Sequence, residues 1–209
     1  MRLVRLIPAV LALTISGQAF AQGWSEYVNA EDHFTVNFPG DPAIMESTYT
    51  LASGLVTPAR LYTVESGPST YMVTVVNFAN AGAEDKAGAI AHAANAFRQR
   101  GGEVTYDDDA NYEGMETQML QMTNPDQTRS FIAITQPPPS AGLNKLYIVE
   151  GRAPASAPPP GHFQQSRAFR DDFNVRIRYD RDIEGNRFRV IPGSGGAPYT
   201  RRGQEPAAE

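Results

Sequence analysis

Apolar and polar residues alternate strictly through His33-Phe34-Thr35-Val36-Asn37-Phe38 and stop at Pro39-Gly40, the two-residue period of a strand closed by a turn. A short edge strand precedes it at 24–29. Further β-type runs lie at 45–52, 60–64 and 71–78, with Ser66-Gly67-Pro68-Ser69 as the hairpin between the last two. Within 71–78, Tyr71, Val73 and Val75 face one way while Met72, Val76 and Phe78 face the other, which predicts a central strand covered on both sides. The period then changes. Between 85 and 100, Ala87, Ile90, Ala91, Ala94 and Phe97 recur at helical spacing, Glu84 and Asp85 suit the positive end of the dipole, and Gly101-Gly102 stops the run.

Strands resume at 103–106, 112–122, 129–135 and 145–151, with Asp107-Asp108-Asp109 and Asn124-Pro125-Asp126 as turns. Prolines 137–139 and the stretch 153–161 read as stiff, exposed loops. A second helix is expected from 161 to 173, docking a stripe of Phe163, Ser166, Phe169, Arg170 and Phe173 on the sheet. Beyond it, Val175, Ile177 and Tyr179 alternate with Arg176 and Arg178, and Phe188 and Val190 alternate with Arg187 and Arg189. Glu184-Gly185-Asn186 turns the hairpin between them. The pattern predicts an α+β fold, a mainly antiparallel sheet packed against two helices, with a flexible C-terminal tail. It divides the chain into a signal peptide (1–21), an α+β domain (22–180) and a segment 181–209 holding a hairpin strand and a disordered tail.

The leader changes the picture most. Arg2 and Arg5 precede an apolar run at 6–15, and Ala19-Phe20-Ala21 offers small residues where a signal peptidase reads. That run is about half of the ~20 residues a membrane span needs, so it predicts a removed export signal, with cleavage after Ala21 and a periplasmic or secreted product. No later segment is apolar enough to be a transmembrane helix.

Composition adds exclusions. The chain has no cysteine, which removes disulfides, thiol nucleophiles, thiolate metal sites and an N-terminal lipid acceptor. Without the leader, 16 basic residues face 23 acidic ones, an acidic balance that argues against nucleic acid as a partner. From 163 onward the balance reverses to 9 basic against 7 acidic residues, and every base there is arginine.

The opening run, Trp24 and Tyr27 followed by Phe34-Thr35-Val36-Asn37-Phe38-Pro39-Gly40-Asp41-Pro42, resembles the start of the PsbP-like group of exported bacterial proteins, which includes the periplasmic DcrB-type proteins. The order of elements and the late Asp172-Phe173 pair extend the resemblance over 24–175. It implies an antiparallel sheet between helical layers and an accessory or binding role more often than an enzymatic one.

Candidate chemistry is sparse. His33, His92 and His162 are the only histidines, and no two stand at metal-ligand spacing, so no metal site is expected. The triple aspartate at 107–109 lacks the glycine and closing glutamate of a calcium loop. Gly193-Ser194-Gly195-Gly196 has no strand–turn–helix around it and reads as linker. No phosphate loop or dinucleotide fingerprint occurs, and no cofactor is expected. The sharpest feature is the late hairpin: if its strands pair, Arg176, Arg178, Arg187 and Arg189 project from one side, as an anion- or partner-binding surface would. Compensation by Asp180, Asp182, Glu184 and the acidic body of the domain is the alternative.

These features together predict an exported, non-catalytic binding or accessory protein of the bacterial envelope. Its partner would be another protein, a lipid head group or a cell-wall polymer. The alternatives are an envelope hydrolase with a site assembled from sequence-distant residues, and a subunit recognised through its tail.

Overall fold

The computed structural model describes residues 23–190, so the expected signal segment and the Gly/Pro/Arg tail, with its Gly-Ser cluster, lie outside the described residues. In chain order the elements are β1 (Ser25–Asn29), β2 (Phe34–Phe38), β3 (Ala43–Thr50), β4 (Val56–Ser66), β5 (Ser69–Asn77), α1 (Ala83–Ala87), α2 (Ala89–Arg98), β6 (Glu103–Tyr112), β7 (Met115–Thr123), β8 (Thr128–Thr135), β9 (Lys145–Pro154), α3 (Gly161–Gln165), β10 (Ala168–Arg170), β11 (Arg176–Ile177), β12 (Tyr179–Arg181) and β13 (Arg187–Arg189). A 3₁₀ turn spans Pro139–Ala141.

Strand content corrects the expected fold class. The described residues are mostly β, 52% strand against 14% helical, in three antiparallel sheets rather than one sheet packed on two helices. A seven-stranded sheet of order β3-β4-β5-β9-β8-β7-β6 forms the middle layer. A four-stranded sheet, β1-β2-β10-β11, lies on one face, and β12-β13 form a separate hairpin.

Two buried clusters explain the layering. On one face Phe34, Phe38, Phe169 and Ile177 of the small sheet meet Tyr62, Val73, Val75 and Tyr147 of the large one. On the other, Ala89, Ala93, Ala94 and Phe97 of α2 pack on Val76, Leu120, Ile132, Ile134 and Leu146. β5 lies between β4 and β9 and contributes Val73 and Val75 to one cluster and Val76 to the other, as its two apolar faces predict. Apolar groups on both faces are what a sandwiched middle layer requires.

The two helices depart from expectation in different ways. The first is interrupted at Gly88, which has φ −94° and ψ 0°, so α1 and α2 replace one continuous helix. The second stops after one turn at Gln165, and the chain re-enters a sheet as β10, pairing Phe169 with Phe34. Phe163 and Phe169 are buried as a helical stripe would require, but Phe173 is 68% exposed. Short apolar runs bury the same side chains in either conformation, so periodicity does not separate them. After β10 the Asp171 carboxylate accepts from the backbone N–H groups of Phe173 and Val175, an Asx-type turn that reverses the chain into β11. The triple aspartate is a further correction. Asp107, Asp108 and Asp109 lie within β6, and its hairpin turn falls at Glu113-Gly114.

Candidate functional site

The late hairpin forms, but with a register that separates the arginines. Tyr179 faces Arg189 and Arg181 faces Arg187, so Arg187 and Arg189 share a face with Tyr179. Arg178 falls opposite Val190, whose N–H donates to the Arg178 carbonyl, and so belongs to the other face. Arg176 is not in this hairpin; it lies in β11, paired with Arg170 of β10. A register offset of one residue exchanges the faces of a strand, which is why alternation alone placed all four together.

Two of the four have acidic partners in the body of the domain. The Arg176 guanidinium grips Glu113, with Nη2 donating over 2.6 Å and Nε over 3.2 Å. Arg189, mostly buried, donates to Asp171 over 2.8 Å. Arg178 and Arg187 are exposed and make no ion pair among the described residues.

The aromatic residues build a different site. Trp24, just ahead of β1, is 48% exposed and stands edge-on to Tyr71 of β5, with ring centroids 4.9 Å apart and an 81° interplanar angle. Tyr71 in turn meets Phe163 of α3 at 5.2 Å, and Phe163 meets Phe38 of β2 at 5.1 Å. The exposed indole therefore rests on rings anchored in the core. Around it opens a cleft of about 560 Å³, walled by prolines 158–160 and rimmed by Asn37, His162, Gln165 and Ser166. None of its lining residues is an acid, a lysine or an arginine. The Ser166 hydroxyl accepts from the Asn37 N–H and donates to the Phe163 carbonyl, tying β2 to α3 beneath the rim. Asn37, His162 and Gln165 are exposed, and their side chains make no hydrogen bond among the described residues.

A second cleft, about 600 Å³, lies between the helices and β6–β7. Prolines 137–139 form its wall, Ala87, Ile90 and Ala91 its helical side, and Lys86, Arg187, Asp109 and Glu116 bring both signs of charge to it. Arg187 is thus the one residue of the arginine set that reaches a cleft.

Buried charge concentrates elsewhere, at the turn between β1 and β2. Asp32, 6% exposed, accepts from Tyr62 at 2.5 Å, Arg60 at 3.0 Å and Lys145 at 2.6 Å, while its carbonyl accepts from Tyr147 at 2.9 Å. Burial pushes its carboxyl pKa up, but Lys145, Tyr62 and Arg60 outweigh that and hold it below the ordinary aspartate value. Burial, with Asp32 beside them, raises both phenols, so Tyr62 and Tyr147 stay protonated donors. Arg60 also reaches Glu31 at 2.7 Å and Glu46 at 2.8 Å. Every anion here has a cation from the same chain, the signature of a structural clasp. His33, in the same turn at φ 58°, lies 3.6 Å from Asp172. Among the described residues no group of three or more histidines and acids is placed to hold a metal ion.

Asp107 is held below its usual range by Arg98, which donates to both its oxygens, burial opposing. Arg167 is 1% exposed and buried without a carboxylate. Desolvation lowers its pKa to about 10, and it stacks on the Tyr112 ring at 3.9 Å while donating to Thr135 and the Gln164 carbonyl.

Alternation puts Tyr71 in a strand facing the core, the expected late helix puts Phe163 in a docking stripe, and Trp24 stands at the start of the expected edge strand. The lone tryptophan beside the expected mature terminus was the one available signal of the cleft, since its other parts lie far along the chain. No helix among the described residues is long and apolar enough to cross a membrane. Compared with known proteins, the chain matches no family model, and no curated protein matches it.

Proposed function

We propose that this chain is an exported, non-catalytic binding protein of the bacterial cell envelope, and that the aromatic cleft is its ligand seat. The observation that carries the reading is Trp24: a large aromatic, half exposed, standing on a rigid ring cluster at the mouth of a cleft with no charged lining. Pockets that bind small molecules combine such apolar surface with a few converging polar groups. The leader supplies the compartment. Cleavage after Ala21 leaves Trp24 as the third residue of the mature chain, so maturation frees the side of the molecule where the cleft opens. The resemblance of 24–42 to the PsbP-like group points to the same kind of role.

Arg178 and Arg187 are the part of the arginine set with a free guanidinium to offer an anionic partner. They supplement the cleft rather than define it, because they lie on opposite faces of the hairpin.

The test has two arms. Intact mass of protein recovered from the periplasmic fraction is expected to begin at Gln22; retention of Met1 in cytosolic material removes the export reading. The mature protein is expected to sediment with a whole envelope preparation, and Trp24→Ala to abolish that sedimentation without loss of folded-state circular dichroism. Equal sedimentation of the two proteins removes the cleft from the function.

A further inference from the structure

The geometry points to a neutral saccharide as the ligand of the aromatic cleft, with a sugar ring laid on the Trp24 indole and its hydroxyls taken by Asn37, Gln165 and His162; this rests on the reading of the cleft as the ligand seat. A pyranose presents two faces of C–H groups and a rim of hydroxyls. The cleft presents the matching pair: an accessible aromatic surface inside, and two primary amides and an imidazole at the edge. Primary amides suit adjacent hydroxyls because each carries two donors and an acceptor side by side. The edge groups are exposed and have no hydrogen-bond partner among the described residues, so recruiting them breaks nothing in the fold.

Charge narrows the class. The chain is acidic overall, yet the lining holds no carboxylate, lysine or arginine, so a phosphorylated or uronic ligand finds no permanent cation to pair with there. The proline wall separates sugar from a proline-rich peptide, the other usual guest of aromatic grooves. Prolines 158 and 159 supply carbonyl acceptors and no N–H donors, while the Pro160 carbonyl already accepts from the Gln164 N–H. A second proline-rich strand has few donors to give those carbonyls, whereas sugar hydroxyls both donate and accept. A cleft of about 560 Å³ has room for a short oligosaccharide and is too small for a folded partner.

The chain has a single tryptophan, so indole emission reports this cleft alone. Mature protein is titrated with N-acetylglucosamine tetramer, maltotetraose and cellotetraose, with a proline decapeptide and anionic phosphatidylglycerol vesicles as comparators. At least one saccharide is expected to quench or blue-shift the emission saturably. Asn37→Ala and Gln165→Ala are each expected to weaken that binding about three- to tenfold, the scale of one lost hydrogen bond. Trp24→Ala, followed by calorimetry, is expected to weaken it roughly thirtyfold or more. No saturable response to any of the saccharides at concentrations up to about 10 mM overturns the inference. If the decapeptide or the vesicles bind instead, and Trp24→Ala abolishes that binding, the cleft keeps its role and only the sugar falls. If nothing binds and envelope sedimentation is also independent of Trp24, both readings fall.

Discussion

The two clefts are each walled by three consecutive prolines, 137–139 in one and 158–160 in the other, yet what faces the wall differs. Against prolines 137–139 stand small helical residues, two cations and two acids. Against prolines 158–160 stand three aromatic rings and neutral polar groups. Locked φ angles make both walls stiff, so the wall sets shape and the opposite side sets chemistry. In the first cleft two cations face two acids, so the formal charges balance. In the second, the Trp24 indole stays half-exposed, with nothing among the described residues covering it.

The contrast can be broken from outside the clefts, and the largest expected effect comes from the Asp32 clasp. Asp32→Ala leaves Lys145 without a carboxylate in a half-buried site, while Arg60 keeps Glu31 and Glu46, and is expected to cost about 3 kcal/mol in urea unfolding. The clasp holds the turn between β1, which follows directly on Trp24, and β2, which carries Asn37. Hydrogen exchange in the variant should therefore quicken in β1 and β2 before it quickens in α2 and β7. Uniform loss of protection across both regions means that the two clefts are not separately supported.

Two glycines address the clefts one at a time. A Cβ on Gly151 would meet Pro160 Cβ at 2.5 Å, so Gly151→Ala pushes the aromatic cleft's wall outward. A Cβ on Gly114, at φ +78°, would meet Tyr179 Cβ at 2.4 Å, so Gly114→Ala displaces the hairpin that brings Arg187 to the charged cleft. Each is expected to cost about 1–3 kcal/mol. Only Gly151→Ala should impair the tryptophan-detected titration, and equal impairment by both merges the sites.

Acid acts on the supports of both. Asp32, Asp107 and Asp171 all have folded pKa values below the unfolded one, through Lys145, Arg98 and Arg189 among their partners. Such groups stabilise fully above the unfolded value, about 3.9, and their contribution drains away as pH falls through the depressed folded values. Thermal midpoints should show no slope from these carboxylates between about pH 5 and 7 and should fall steeply below about pH 4. Asp32→Asn should flatten that acid limb. The smallest effect belongs to the charged cleft itself: Lys86→Ala with Arg187→Ala should alter stability by no more than about 0.5 kcal/mol and leave the titration of the other cleft unchanged.

What was legible in the chain follows how far apart the interacting residues are. The two-faced pattern of β5 is local and was readable; of the expected helical stripe Ala94 and Phe97 are buried, but Ala87 and Ala91 are exposed, and Ala89 and Ala93 take their place in the core. The late helix was not readable, because Phe163 and Phe169 become buried through a turn and a strand as well as they would through a helix. The arginine face was lost to a register that alternation does not specify. Asp32 meets Lys145 and Tyr147 across 113 and 115 residues, and Trp24 meets Tyr71 and Phe163 only in the folded chain, so neither assembly leaves a motif.

The small sheet joins opposite ends of the chain: β1 and β2 are its first strands in sequence, and β10 and β11 arrive more than a hundred positions later. β1 and β2 can pair with each other early, but β2 lacks its second neighbour until β10 has emerged, a distant contact of the kind that slows folding. The small sheet therefore closes on β2 only when β10 reaches it, however early its first hairpin forms.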